Sequence, residues 1–319
     1  MITINTKNTK LAKESAQDLG LPSGTRTIGE YQFAQSNLTS VVIPDSVISI
    51  GNSAFHRSAS LKDVTIGNNV SSIRPYAFAR CPSLTTVTFG KNSKLRVIEN
   101  DAFRECTSLT SIKIPDSVER IENFAFGHCH SLKSVTFGKN SKLRVVGNAL
   151  FDHCISLEEL VIPDGVLNIA SSMFDGCTSL KNIVIPNSVK TIGSSAFSNC
   201  RNLTTVTIGS KVNSITYSMF YGCNSLTSIN IPNSVESIGD YAFSSCSNLT
   251  SVTIPDSITR VGKCAFENCT SLTEIQYKGT KSQWRSIAKA YGWNRGTGYY
   301  KIICTDGTLH KTKPSQLRN

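Results

Sequence analysis

Membrane-crossing segments, disulfide density, acidic charge and enzyme signatures are all scarce or missing in this sequence. No run of about eighteen apolar residues occurs, so no transmembrane helix is expected. The opening MITINTKNTKLAKESAQDLG lacks the continuous apolar stretch of a secretory signal, which makes the cytoplasm the expected location of the chain as given. Charged residues reach only 17%, so Ser, Thr and Asn must supply much of the solvated surface. Acidic residues are the scarcer sign, 22 against 33 Lys plus Arg, and the balance of +11 favours partners with an acidic surface. Eleven cysteines in 319 residues are too few for a disulfide scaffold, and an odd number cannot all pair within one chain. GxSxG, HExxH, GxxxxGK and GxGxxG are all absent, so no catalytic residue, cofactor or nucleotide loop is assigned and the chain is expected not to be an enzyme.

What is present is a repeat. Phenylalanine recurs at Phe33, Phe55, Phe78, Phe103, Phe126, Phe151, Phe174, Phe197, Phe220, Phe243 and Phe266, at intervals of 22 to 25 residues. Around each, Leu follows six residues on, Val or Ile nine on, and Pro or Gly often twelve on. In SLTSIKIP, Ile112 and Ile114 alternate with Ser111 and Lys113, the two-residue period of a strand with one buried face, and Pro115 ends it for want of an N–H. A unit of this size cannot bury its apolar side alone, so neighbours must stack around a shared core. The expected fold is a β-rich solenoid of about eleven coils with parallel strands, extending roughly 53 Å at about 4.8 Å per strand.

The pattern CxSLxxVxIPxSVxxIGxxAF, seen in CTSLTSIKIPDSVERIENFAF from Cys106 to Phe126, resembles the BspA-like, or Treponema-type, leucine-rich repeats. The resemblance covers about residues 16–277. It implies a curved right-handed superhelix and a role in cell-surface attachment or protein recognition, with placement at the cell surface or delivery into a host cell as the locations that go with such a role.

Outside the repeat, residues 1–15 read as a polar leader, 278–310 as a C-terminal cap, and 311–319 as a basic tail. The first coil should begin with a strand near Gln17–Leu21. Thr280 and Gln283 have capping-box spacing, so a helix is expected there, with Trp284, Ile287, Ala288 and Tyr291 on one face and Gly292 as its stop. YYKIICTDGTL then reads as a hairpin turning at Asp306 and Gly307. Both tryptophans fall in this section and are expected to cover the last coil.

Nine cysteines, from Cys81 to Cys269, sit three residues after the repeat Phe and should be buried, reduced and structural. Cys264 and Cys304 are out of register, and Cys264 is expected to be the most reachable thiol. His128 with Cys129 and His153 with Cys154 match on adjacent coils, but neighbouring residues of a turning chain diverge, so no metal is assigned. Asp45, Asp116, Asp164 and Asp256 all follow the turn proline and read as turn chemistry. The outward strand positions, such as Ser134 and Thr136, Glu159 and Val161, and Asn182 and Val184, form a mostly small, hydroxyl-rich face without binding anchors.

Charge breaks this uniformity in two places. The near-copies GKNSKLRVIENDAF and GKNSKLRVVGNALF put Lys91, Lys94, Arg96, Lys139, Lys142 and Arg144 on one edge, two coils apart, with Asp116, Glu119 and Glu122 between them. The C-terminal section adds Lys281, Arg285, Lys289 and Arg295 beside the tryptophans. These ten residues are the candidate partner-binding positions of a non-enzymatic recognition scaffold for an acidic protein. An intracellular nucleic-acid or nucleoprotein binder is the alternative, and a surface adhesion module is the third reading.

Overall fold

The computed structural model describes residues 2–3 and 18–311. Its coils stack as two ladders of parallel strands. On one side lie strands of up to four residues: Ser40–Ile43 pairs with Asp63–Ile66, and that with Thr86–Phe89, in one-to-one register. The alternation read in the sequence decides which side faces in. Val41, Val64 and Val87 align across the three strands and are buried, while Thr65 and Thr88 face out. Pro44 and Pro115 end their strands, and each offers its carbonyl to the N–H three residues on, Val47 and Val118 respectively, at 3.0 and 3.1 Å. After this turn a two-residue strand forms the second ladder, as in Val97–Ile98, Arg120–Ile121 and Val145–Val146.

Among the described residues the third side is built of turns, with no helix around the repeat phenylalanines. There the Phe N–H donates to the coil that follows: Phe33 to Ala54, Phe55 to Ala77 and Phe78 to Ala102, at 2.7 to 2.8 Å. Aligning these groups needs left-handed backbone on both sides of each Phe. Phe124 and His128 flank Phe126 at φ 53° and 58°, and Ala149 and His153 flank Phe151 at 53° each. Such a conformation is costly for an L side chain, and here each coil holds it in place through the hydrogen bonds to its neighbours. Inside, the eleven phenylalanines form one continuous stack with centroids 5.1 to 5.8 Å apart.

The solenoid runs to about twelve turns, because the ladders continue beyond Tyr277. The expected helix is shorter than its apolar spacing suggests. It spans Lys281–Ser286, opened by the Thr280/Gln283 capping box, and stops at Ile287. Ala288–Lys289 then pairs in parallel with Arg260–Val261, so pairing to the preceding coil overrides helical continuation. Ala288 and Tyr291 are therefore off the helix, and Tyr291 is 83% exposed. By hydrogen-bond register Trp293 stands in the alanine place, with Asn294 in that of the Phe: the Trp293 carbonyl accepts from the Phe266 N–H at 2.7 Å, and its ring meets Phe266 edge-on at 6.1 Å. Lys301–Cys304 extends the long-strand ladder from Glu274–Tyr277, and Gly307–His310 folds back on it as the antiparallel strand of a hairpin. At the other end, Asp18–Gly20 pairs with Ser40–Val42, and Ile2–Thr3 pairs with Thr25 and Thr27. The rest of the leader, and the tail after Lys311, lie outside the described residues.

All eleven thiols are free and buried. Each in-register cysteine does more than fill space, since its S–H donates to the Phe carbonyl of the preceding coil: Cys81 to Phe55 at 3.1 Å, Cys129 to Phe103 at 3.2 Å, Cys154 to Phe126 at 3.1 Å. Ser58 makes the same bond to Phe33 at 2.8 Å, which explains why the first coils carry serine in this column. Cys264 departs from its expectation. It is only 4% exposed, because the turn at Gly292 covers it so closely that a Cβ there would lie 3.5 Å from its sulfur. Burial pushes the thiols of Cys81, Cys129 and Cys269 up to about 12. Thiol titration of the native protein at neutral pH should therefore find few reactive groups, rising to near eleven after unfolding. Four or more disulfides would contradict the burial.

Candidate functional site

Among the described residues, pairing in the long-strand ladder stops at three places, after Thr86–Phe89, Glu159–Leu160 and Thr205–Thr207, and the second of these opens a groove. Glu159–Leu160 is only two residues long although its partner Ser134–Phe137 has four, and among the described residues no pairing joins it to Asn182–Val184. Where the ladder opens, Val161 is 83% and Val184 61% exposed. A groove of about 1070 Å³ follows, with Phe137, Val161 and Val184 on its floor and Lys139, Arg144 and Asp164 among its walls. Its form has a local cause. Where Ser46 and Ser117 stand after the turn Pro-Asp in other coils, this coil has Gly165. The Arg144 guanidinium occupies the space a side chain would take, and a Cβ there would also lie 2.7 Å from the Leu143 carbonyl. Arg144 Nη1 donates to that same carbonyl at 3.0 Å.

The ten basic candidates separate into different roles. Lys139 and Arg144 wall the groove. Arg96, Lys142 and Arg144 line a second hollow of about 790 Å³, which Lys91, Lys94 and Lys139 do not. Arg144 thus belongs to both. Arg96 is neutralised by Glu119 of the interleaved coil, through Nε to Oε1 at 3.1 Å and Nη2 to Oε2 at 2.8 Å, and this bonding holds the Glu119 carboxyl below its ordinary range. Glu122 lies 3.7 Å from Arg120. Lys91, Lys94, Lys139 and Lys142 remain exposed.

In the C-terminal section, Lys289 Nζ lies 4.8 Å over the Trp284 ring and donates to the Ile287 carbonyl at 3.1 Å. Arg295 Nε donates to buried Glu267 at 2.6 Å. Both tie the last turns together. The Lys281 N–H is held by Asp306 Oδ1 at 2.7 Å, while Arg285 is exposed. Trp284 is buried against Tyr277, and Trp293 packs between Phe266 and Tyr300.

The turn carboxylates act as turn groups where their bonds are resolved. Asp45 Oδ1 accepts the Asn68 N–H at 2.6 Å, which lowers its pKa, and Asn187 Oδ1 does the same for Ser210 at 2.8 Å. Cys129 and Cys154 point inward and do not join His128 and His153. Sequence reasoning passed over the groove. Its signals were valines on two successive coils, Val161 and Val184, in an outward column held in most other coils by Thr, Asn or Lys and in one by Val42, together with Gly165 after the turn Pro-Asp.

Among the described residues no helix is long and apolar enough to cross a membrane. The profile of the BspA type leucine rich repeat region matches residues 7–109, 96–226, 144–273 and 213–289. A leucine rich cell surface protein of Faecalibacterium prausnitzii is 31% identical, over 83% of this chain and 86% of its own, with a TM-score of 0.44. The leucine rich repeat protein of T. pallidum is 27% identical, over 56% and 82%, with a TM-score of 0.49. One from Bacteroides ovatus is 26% identical over 88% of both chains, with a TM-score of 0.43. No curated protein matches the chain at a significant level.

Proposed function

The chain belongs to the BspA type leucine-rich repeat family, and from that premise we propose that it is a non-enzymatic recognition scaffold whose strand-face groove holds an extended, acidic segment of a partner protein. The groove at Val161 and Val184 carries this reading. Side chains this exposed in the middle of a polar face gain about 1.5–3 kcal/mol each when covered, and the interrupted ladder beside them suits a strand-like guest with apolar residues at alternate positions. Within the groove Lys139 and Arg144 are offset by Glu159 and Asp164. The acidic preference therefore comes from the loops around it, where Lys91, Lys94 and Lys142 accelerate encounter.

Selection of displayed random peptides on the immobilised whole chain tests this. Enriched peptides should alternate apolar and acidic residues, and Val161→Asp should abolish their binding while the fold is retained. Affinity should fall modestly with salt, because exposed charges are screened but the apolar floor is not. Enrichment of sequences indifferent to Val161→Asp would defeat the groove reading. Tight binding of nucleic acid with a steep salt dependence would favour a phosphate-binding surface in its place.

A further inference from the structure

We propose that His128, Asp152 and His153 form a binding site for a single zinc ion, or a similar borderline transition-metal ion, bridging two consecutive coils at the turn edge. The fold creates the arrangement. His128 and His153 occupy the same left-handed register position, and the His128 N–H donates to the Asp152 carbonyl at 2.7 Å. Their rings therefore stack at 5.2 Å, 19° from parallel.

Asp152, only 14% exposed, presents one carboxylate oxygen to each ring, Oδ2 at 3.3 Å from His128 Nε2 and Oδ1 at 2.8 Å from His153 Nδ1. One ligand atom from each residue lies within 4.8 Å of the others. A tetrahedral centre with bonds of about 2.0–2.1 Å holds its ligands about 3.3 Å apart, so small rotations suffice to close the set, with water in the fourth place. Two imidazoles and a carboxylate suit zinc and its neighbours in preference to magnesium or calcium.

The neighbouring coils leave room for this cluster. Gly127 stands in the register place of Asp152 one coil earlier, and Gly176 in that of His153 one coil later, with the His153 ring 3.1 Å from where its Cβ would be. Arg104, the nearby cation acting on His128, is drawn off by Asp101 at 3.1 Å and Glu105 at 3.6 Å. The ring of His130 stands edge-on to His128 at 6.0 Å, outside the ligand set.

Zinc chloride titrated into the whole chain, in chelator-stripped, phosphate-free buffer near neutral pH, should bind with one equivalent and raise the melting temperature. The variants can borrow residues the fold already accepts in these columns. Asn199 and Asn268 share the histidines' backbone conformation, and Ser198 and Ser244 stand in the Asp152 column. His128→Asn, His153→Asn and Asp152→Ser should each weaken zinc by at least about tenfold and remove the thermal shift, while circular dichroism stays unchanged. His130→Asn should keep both. No zinc uptake by the wild-type chain, or uptake undiminished in the His128, Asp152 and His153 variants, would overturn the site.

Discussion

Replacing Phe126 with alanine should cost about 3–5 kcal/mol of stability and split the denaturant unfolding curve into two steps. Phe126 is fully buried between Phe103 at 5.4 Å and Phe151 at 5.8 Å. Its carbonyl accepts the Cys154 S–H, and its N–H donates to Leu150 at 3.1 Å. Alanine keeps the backbone bonds and removes the ring, leaving a void that two stiff neighbouring coils cannot collapse to fill. In a solenoid each coil contacts only its neighbours, so a mid-chain defect uncouples the halves. Phe33→Ala should cost less and fray one end, since among the described residues Phe33 stacks on Phe55 alone. A single cooperative transition displaced by less than about 1 kcal/mol in Phe126→Ala would contradict a stack-centred core.

Deleting residues 278–319 should turn the protein into an aggregating one. The cut strips Lys301–Cys304 from the edge of Glu274–Tyr277 and uncovers Phe266 and Tyr277 by removing Trp293 and Trp284. An open parallel edge beside exposed aromatic core invites pairing with further copies. Size-exclusion chromatography with light scattering should show soluble oligomers and loss of monomer. A monomeric product that melts unchanged would make the segment a tethered arm in place of an end closure.

Much of this architecture was legible because the interactions that build it repeat. The Phe period, the alternation in SLTSIKIP and the turn prolines each act within one coil or between identical neighbours, so the pattern states the contact. The last turn was hidden because Asn294 stands in the Phe place and a helix replaces the proline turn, which removes both markers while the pairing persists. Cys264 looked reachable because the segment that covers it arrives from beyond the repeat. The histidines were visible as a matched pair. Their cysteine neighbours do diverge from them as expected, but Asp152, one residue before His153, does not, since the left-handed turn brings its carboxylate to both rings. The groove depends on a break in pairing at Glu159–Leu160, a tertiary event that one valine column hints at and no local rule dictates.

The recognition reading meets its most direct test in hydrogen exchange of the whole chain, with and without a peptide enriched on the immobilised protein. Binding in the groove should slow exchange within residues 134–144 and 159–165, with the turn edge and the C-terminal section unaffected. Protection confined to the turn edge or to residues 278–310, with 159–165 exchanging as in the free chain, would contradict it.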